Sequence, residues 1–319
     1  MLALCVYAAA TKPTFLTWQN LVINLLTKAS CLGIIACGMT FVMIAGGFDL
    51  SVGSTTAACS VVTVLMLQPL APHGAWVAIP LAILATLLVG ILLGSANGAL
   101  ISYVGVNPFV VTLSTMFVFR GLAMIITSGG LSIQVPVALK EGAFRKIYWG
   151  QVNLFGSPTH QATIPILVFL AVFLVSVYLL RFTRFGHYVY AVGGNENAAW
   201  LAGINTSLVK AATYAICGLT CAISAIIFSS ITGTTQAASH EGLELIVIAS
   251  VIVGGTPLGG GSGSLFLTLN GLLLLSVIEN LMGQFRVDEK YRKIVQGFII
   301  LVVVAVDGFV RRTRARQRR

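Results

Sequence analysis

The sequence GHYVYAVGGNENAAWLAGI, residues 186–204, is a polar segment between two long apolar runs. The runs, Ile164–Leu180 and Leu208–Ile231, have the composition of membrane-spanning helices, which need about 20 apolar residues. The segment between them must therefore lie in water or at the membrane surface. Within it, Glu196–Leu201 is a good short helix that follows a Gly-Gly-Asn start. The pattern predicts a bundle of membrane helices that displays one short, ordered helix at its surface.

The composition predicts an integral membrane protein. Of the 319 residues, 57% are hydrophobic and only 9% are charged, whereas soluble domains have about 25% charged residues. A soluble fold of this size could not bury so much apolar surface. Because the apolar runs lack the alternation of outer-membrane strands, we expect an all-α polytopic membrane helical bundle. The hydrophobic length suffices for about ten transmembrane helices, some of them short or broken, in a single domain that spans residues 1–319.

The distribution of charge predicts the orientation of the chain. The formal net charge is +10, and six of the nineteen Lys and Arg residues lie in the segment 311–319, RRTRARQRR. Basic residues that follow a span mark the cytoplasmic side. We therefore interpret 311–319 as a basic cytoplasmic tail rather than as an arm that binds nucleic acid. Counting spans back from this tail predicts a cytoplasmic segment at about 183–207 and a periplasmic loop at about 128–161.

Two Gly-rich breaks, GGFDLSVGS at 46–54 and GGTPLGGGSGS at 254–264, interrupt the apolar pattern. Each follows a Val/Ile-rich run and precedes a helix that opens with small residues. They indicate either an internal repeat of two half-bundles whose breaks face the same side or a chance match between two Gly-rich turns. Neither break contains the Gly-x4-Gly-Lys-Ser/Thr string of a phosphate-binding loop, which occurs nowhere in the chain. We therefore expect no nucleotide site of this kind and no enzymatic activity.

The residue types that bind metals or carry nucleophilic chemistry are scattered. The four histidines lie far apart, and the six cysteines lie in apolar context without an accompanying His or acidic residue. Small packing residues explain these cysteines better than a metal site or a disulfide does. We expect neither a metal nor a cofactor.

Three charged residues are candidates for a structural or pathway role inside the membrane. Arg120 lies within the apolar run Pro108–Thr127, where a charge is costly and usually faces the bundle interior or a wet path. Bracing by backbone carbonyls and lining of a pathway are both open for this arginine. Asp49 and Glu244 lie near span ends, so interfacial or helix-capping roles are the alternatives to a place in the pathway.

Four motifs occur in order over nearly the whole chain: GGFDLSVGS (46–54), NPFVVTLSTMFVFRGL (107–122), AVGGNENAAWLAGI (191–204) and GLELIVIASVIVGGTPLGGGSGS (242–264). Together they resemble the successive hallmarks of bacterial monosaccharide ABC-transporter permeases of the ribose/arabinose/xylose/methyl-galactoside type. The resemblance implies a bundle in the bacterial inner membrane, surrounded by lipid, that pairs with a second permease chain as a homodimer. It also implies a cytoplasmic ABC ATPase and a periplasmic sugar-binding protein as partners.

The resemblance further implies that the polar segment couples the bundle to the ATPase. The positions that match the family's coupling segment are Gly193, Gly194, Asn195, Glu196, Ala198, Ala199, Leu201 and Gly203. The helix Glu196–Leu201 would fit a groove on the ATPase, and closure of the ATPase dimer around ATP would push it. A physical reason supports this role independently, because a membrane protein without a nucleotide site needs an external motor and a rigid lever.

Three other functions compete with that of a permease subunit of an ATP-driven monosaccharide importer. A permease of a related ABC importer for branched-chain amino acids differs only in substrate. An ion-coupled secondary transporter would usually show acidic residues in the middle of broken spans, whereas here they lie near span ends. A membrane anchor without transport activity is the third alternative.

Overall fold

The computed structural model describes residues 8, 10–12, 14–153, 161–299, 301–302 and 305. Within these residues, seven helices are long and apolar enough to cross a membrane, and the little sheet that occurs is confined to two pairs of very short strands. The all-α membrane bundle is confirmed, whereas the predicted count of about ten spans is not. The predicted basic tail at 311–319 lies outside the described residues, as does part of the loop 128–161.

In chain order the helices are α1 (Gln19–Ile44), α2 (Val52–Leu70), α3 (Ala75–Ser102), α4 (Pro108–Ile126), α5 (Val137–Lys140), α6 (Lys146–Trp149), α7 (Ile164–Phe182), α8 (Arg184–Gly194), α9 (Glu196–Leu201), α10 (Thr206–Thr232), α11 (Leu243–Val253) and α12 (Leu265–Gln284). The long helices are α1, α2, α3, α4, α7, α10 and α12, and the first eight residues of α1 are π-helical. After α12, residues 289–299 are helical as well.

Four short strands form two antiparallel pairs: β1 (Ile133–Gln134) with β4 (Thr234–Thr235), and β2 (Gln151–Asn153) with β3 (Gln161–Thr163). In the first pair Ile133 lies opposite Thr235, and in the second Gln151 lies opposite Thr163. All four strands lie at one end of the bundle, which we call the strand end.

The opposite end of the bundle carries α8 and α9, and we call it the α8–α9 end. Helix α7 runs from β3 to α8, and α10 runs back from α9 to β4. The Ser207 hydroxyl donates to the carbonyl oxygen of Ser102 at 2.9 Å, which places the last residue of α3 at the α8–α9 end. The segments 183–207 and 128–153 therefore lie at opposite ends, while the side of the membrane that each one faces stays a prediction.

Asparagine caps start the helices at the α8–α9 end. The side chains of Asn107, Asn195 and Asn205 accept hydrogen bonds from backbone N–H groups in the first turns of α4, α9 and α10, respectively. Such caps satisfy N–H groups that a helix start leaves free, and each stabilises a helix by about 1 kcal/mol. In α4 the cap is followed by Pro108 at the first helical position, where the fixed φ of proline suits a helix start.

Helices α3 and α10 pack through small residues. Gly90, Gly94 and Gly98 of α3 face Gly218 and Ala211 of α10 so closely that a Cβ on any of the three would overlap the α10 backbone. Small residues four apart allow helices in a bilayer to approach to backbone contact. The GxxxGxxxG pattern of α3 is thus the seam that joins the middle of the bundle.

Helix α11 is too short to cross the membrane. Its 11 residues cover about 16 Å, roughly half of a bilayer core. Gly242, with a φ of 82°, precedes it, and at Gly254 the chain turns towards α12. A Cβ at Gly254 or Gly271 would overlap backbone atoms of the other helix. Helix α11 is therefore a half-helix that packs closely on α12, and it is not one of the seven long helices.

Candidate functional site

Helix α9 is a short, capped helix that stands out from the α8–α9 end. The Asn195 side chain accepts from the N–H of Ala198 at 3.0 Å, and Glu196 forms an ion pair with Lys210 of α10. Ala199 is buried against the bundle, whereas the side chains of α9 on the other side face away from it. The cap, the ion pair and the buried alanine together hold α9 in one orientation on α10.

The exposed side of α9 carries two large apolar side chains. Trp200 is 67% exposed and Leu201 is 77% exposed, although they lie on a six-residue helix with polar neighbours. Exposed aromatic and aliphatic side chains at the end of a helix bundle, outside its apolar spans, are typical of a site that contacts another protein.

Five glycines at the base of this helix meet in one place, which we call the glycine junction. They are Gly46, Gly193, Gly194, Gly260 and Gly261. A Cβ at Gly193 would overlap the carbonyl oxygen of Ile44, the last residue of α1. The N–H of Gly261 donates to the same oxygen at 2.8 Å. The end of α8, the end of α1 and the loop before α12 are therefore in direct backbone contact.

A tyrosine adds a second link between α8 and the loop that precedes α12. The Tyr190 hydroxyl donates to the carbonyl oxygen of Gly263 at 2.9 Å. Burial raises the pKa of Tyr190, so the hydroxyl stays protonated and remains a donor at neutral pH. A displacement of α8 must therefore move this loop or break the hydrogen bond.

Arg120 braces the loop between β4 and α11. Its Nη1 donates to the carbonyl oxygens of Ala237 at 2.8 Å and Ser239 at 3.2 Å. The same nitrogen lies 3.6 Å from a carboxylate oxygen of Glu241. These contacts fit the carbonyl-bracing interpretation, and lining of a pathway stays a prediction.

Asp49 is buried in the turn between α1 and α2. Its Oδ1 accepts from both the N–H and the hydroxyl of Ser51, at 2.8 Å and 2.6 Å. The Ser51 hydroxyl in turn accepts from the side-chain amide of Asn97 at 2.8 Å. The carboxylate thus organises the turn before α2 and connects it to α3.

Glu244 lies in the first turn of α11, where a helix favours negative charge. One carboxylate oxygen accepts from the N–H of Gly242 at 3.2 Å. The other oxygen is buried without a hydrogen-bond partner in the described part of the chain. A Cβ at Gly53 of α2 would overlap it, so the glycine makes room for this carboxylate. Asp49 therefore lies within the segment 46–54, and the Glu244 carboxylate packs against Gly53 of the same segment.

Among the described residues there is no group of three or more His, Cys, Asp or Glu side chains that could hold a metal ion. The five cysteines within these residues are buried as free thiols.

The profile of the family described as "Branched-chain amino acid transport system / permease component" matches residues 21–304. The chain belongs to this family of transport permeases. The permease is 35% identical to the ribose import permease protein RbsC of Escherichia coli K12, over 97% of this chain and 91% of that protein. It is 34% identical to RbsC of Bacillus subtilis 168, over 95% and 89%. It is 33% identical to the L-arabinose transport system permease protein AraH of E. coli K12, over 95% and 86%. No solved structure matches it.

The eight predicted coupling residues of the permease fall into two groups. Gly193 and Ala199 face inward, the first in the glycine junction and the second against the bundle. The others are exposed or line the junction, and Gly203, with a φ of 84°, lies in the turn after α9. Trp200 is not among the predicted site residues, although a Trp within a polar surface segment is a signal for an interaction site. Tyr190, Gly46, Gly260 and Gly261 are not among them either, because their contacts join residues far apart in the chain.

Proposed function

We propose that this permease is the membrane-embedded subunit of an ATP-driven importer for a monosaccharide in the bacterial inner membrane. The observation that carries the proposal is α9, a capped helix that presents Trp200 and Leu201 to solvent and connects through the glycine junction to α1 and α12. The names of the relatives, ribose import and L-arabinose transport permeases, support the sugar class.

In this proposal a separate cytoplasmic ABC ATPase binds α9. Trp200 and Leu201 fill an apolar groove on the ATPase, as buried aromatic anchors do in protein interfaces. Closure of the ATPase around ATP pushes α9 together with α8. Because Gly193 touches the last carbonyl of α1 and Tyr190 holds the loop before α12, the movement reaches both helices without an intervening flexible linker.

Because α9 faces the cytoplasmic ATPase in this proposal, the strand end faces the periplasm. There it receives the sugar-loaded binding protein on the segment 128–161. Two copies of the permease form a homodimer, and the sugar passes by alternating access between the outer and inner openings. An importer of branched-chain amino acids is the second candidate. The observation in its favour is the description of the matching family.

Reconstitution tests the proposal. The permease in liposomes, with its ATPase and its binding protein, is expected to accumulate a radiolabelled monosaccharide only when ATP is supplied to the ATPase side. Uptake should survive a protonophore, since no ion gradient drives it. Transport of leucine instead of a sugar would select the second candidate. Sugar transport by the permease alone would contradict an ATP-driven mechanism. Loss of sugar uptake by the complete transporter when the proton gradient collapses would contradict it as well.

A further inference from the structure

A polar cavity opens on the side of the bundle, between the first half of α1, the second half of α12 and the helical residues 289–299. Its volume is about 400 Å³, roughly the liquid volume of 13 water molecules, which is large enough for the headgroup of a phospholipid. Three charged side chains of the described part of the chain line it: Lys28 of α1, Glu279 of α12 and Arg292. We call it the charged cavity.

The charged cavity lies near the strand end of both spans. Lys28 follows Trp18 by ten residues, and the indole N–H of Trp18 donates to the carbonyl oxygen of Gln161 in β3 at 3.0 Å. Glu279 precedes the end of α12 by five residues. At about 1.5 Å per residue, these offsets are no more than about 15 Å and 8 Å. A lysine extends its ammonium group from that depth towards the headgroup layer, so the cavity lies where phospholipid headgroups meet their acyl chains.

Two side chains of opposite charge line this cavity without meeting. Neither Lys28 nor Glu279 forms an ion pair with a residue that the structure describes. Both are exposed on the surface of the bundle, which along a span faces lipid. A free charge beside hydrocarbon is costly, and charged side chains within spans are nearly always paired. A phospholipid headgroup can supply the partners, because it carries a phosphate anion and, in phosphatidylethanolamine, an ammonium cation.

Arg292 adds a second cation to the walls of the charged cavity. Its Nε donates to the carbonyl oxygen of Val287 at 2.7 Å, which fixes the guanidinium and leaves its two terminal nitrogens for another acceptor. A guanidinium binds phosphate through parallel hydrogen bonds, and a lysine binds it as a point charge. Lys28 and Arg292 therefore suit a phosphate group, while Glu279 suits an ammonium group.

A pair of asparagines holds α1 against α12 beside these charges. The side-chain amide of Asn20 donates to Oδ1 of Asn280 at 3.2 Å, and the amide of Asn280 donates back to Oδ1 of Asn20 at 3.1 Å. Both residues line the charged cavity. The cavity also has an apolar wall, formed by Leu25 and Leu32 of α1. The site is thus built by side chains of the folded bundle and combines polar and apolar walls, as a phospholipid requires.

We propose that the charged cavity binds the headgroup of one phosphatidylethanolamine molecule from the leaflet at the strand end. The phosphate binds Lys28 and Arg292, the ammonium group binds Glu279, and an acyl chain leaves along Leu25 and Leu32. The lipid then joins α1, α12 and the helical residues 289–299. The inference goes beyond the proposed function, because it requires a bilayer but no particular transport substrate.

Charge complementarity selects this headgroup over the other common ones. A primary ammonium group has three N–H donors for the Glu279 carboxylate, whereas the quaternary nitrogen of choline has none. The headgroup of phosphatidylglycerol carries no cation, so Glu279 would stay unpaired and would repel the phosphate. Phosphatidylethanolamine is therefore the lipid whose two charges both find a partner in the cavity.

Native mass spectrometry of the permease, released from nanodiscs with equal amounts of phosphatidylethanolamine, phosphatidylcholine and phosphatidylglycerol, tests the inference. We expect the wild type to retain phosphatidylethanolamine in preference to the other two lipids. Glu279→Gln should lower this preference about tenfold, the factor that one lost hydrogen bond to a charged group gives. Lys28→Gln should lower the retention of all three lipids by a similar factor, because each of them carries the phosphate.

Thermal unfolding gives a second readout. In nanodiscs that contain phosphatidylethanolamine, the wild type should unfold at a higher temperature than in phosphatidylcholine alone, because a ligand that binds the folded state stabilises it. Glu279→Gln should lose this increment. In detergent without lipid, Glu279→Gln and the wild type should unfold at the same temperature, since Glu279 has no ion pair to a described residue that the change could break.

Glu289→Gln and Lys290→Gln are the matched controls. They make the same changes of charge at the same end of the bundle, but Glu289 and Lys290 are exposed and form ion pairs with Lys293 and Asp288, respectively. Neither of them lines the charged cavity. Both variants should retain lipids as the wild type does, which separates binding in the cavity from an effect of net charge.

Three outcomes would overturn the inference. The first is equal retention of the three lipids by the wild type, and the second is preferred retention of phosphatidylglycerol, which would mean that Glu279 does not recognise an ammonium group. The third is efficient cross-linking of Lys28→Cys to a second permease chain in the nanodiscs, which would show that protein rather than lipid covers the cavity. Because these readouts need neither ATPase nor sugar, each of them can fail while the complete transporter still accumulates sugar under ATP.

Discussion

At the scale of single residues, the glycine junction shows how a missing side chain serves mechanical contact. Gly193 and Gly194 are adjacent and look equivalent in the sequence. In the structure, a Cβ at Gly193 would overlap the Ile44 carbonyl, whereas a Cβ at Gly194 would meet nothing within 4 Å. Only the first glycine is required by packing, and it is the one through which α8 touches α1.

We expect Gly193→Ala to destabilise the permease by about 1–3 kcal/mol, the usual effect of overpacking. It should also reduce ATP-dependent uptake, because the added methyl group separates α8 from the end of α1. Thermal unfolding in detergent and the uptake assay in liposomes measure the two effects.

Gly194→Ala is the control for this change, since it adds the same methyl group where there is space. It should unfold and transport like the wild type. Equal behaviour of the two variants would show that the junction does not transmit movement.

At the scale of elements, α9 differs from the spans around it. Its six residues could not form a stable helix alone, because helix nucleation is costly. The Asn195 cap, the ion pair from Glu196 to Lys210 and the buried Ala199 hold it on the bundle. The same residues leave Trp200 and Leu201 facing outward, so the element is stabilised on one side and free to bind on the other.

We expect Trp200→Ala to weaken binding of the ATPase about 30-fold, since truncation of a Trp anchor at an interface typically costs 2 kcal/mol or more. The folded state should be unaffected because the side chain is exposed. Co-purification of the two subunits, or surface plasmon resonance with the permease in nanodiscs, measures this affinity.

Trp76→Ala is the matched control, because Trp76 is 93% exposed at the strand end, at the start of α3. It should leave ATPase binding unchanged. If Trp76→Ala weakens the complex as much as Trp200→Ala does, the contact is not specific to α9.

At the scale of the whole molecule, the two ends of the bundle have different chemistry. The α8–α9 end carries α9, with its exposed Trp200 and Leu201, and the glycine junction, whereas the strand end carries the paired strands and the loop that Arg120 contacts. This division matches a transporter that is driven at the α8–α9 end and receives its substrate at the strand end. The half-helix α11 and the Gly-rich turn after it extend from the strand end towards the α8–α9 end.

We expect cysteine labelling to place the two ends on opposite sides of the membrane. In a Cys5→Ser background the other native cysteines are buried, so a single exposed cysteine can be followed. A membrane-impermeant maleimide on spheroplasts should label Leu131→Cys at the strand end. It should reach Asn197→Cys on α9 only after the membrane is permeabilised, and the reverse pattern would invert the proposed orientation.

The sequence alone determined the class of protein and the existence and approximate bounds of α9. Long apolar runs and a short polar helix between them are local patterns with one physical interpretation each. It did not determine the number of full spans, because only the structure shows that the helix Leu243–Val253 ends after 11 residues and packs on α12 as a half-helix.

Only the tertiary structure decided which residues act together. It brought Ile44, Gly193 and Gly261 into one backbone contact and set Lys28, Glu279 and Arg292 around one cavity. It also placed the Arg120 side chain against the carbonyl oxygens of Ala237 and Ser239. Hydrophobicity and helix propensity are properties of neighbouring residues, so a sequence can display them. A contact between residues more than 100 positions apart depends on how the helices pack, and packing exists only in the folded bundle.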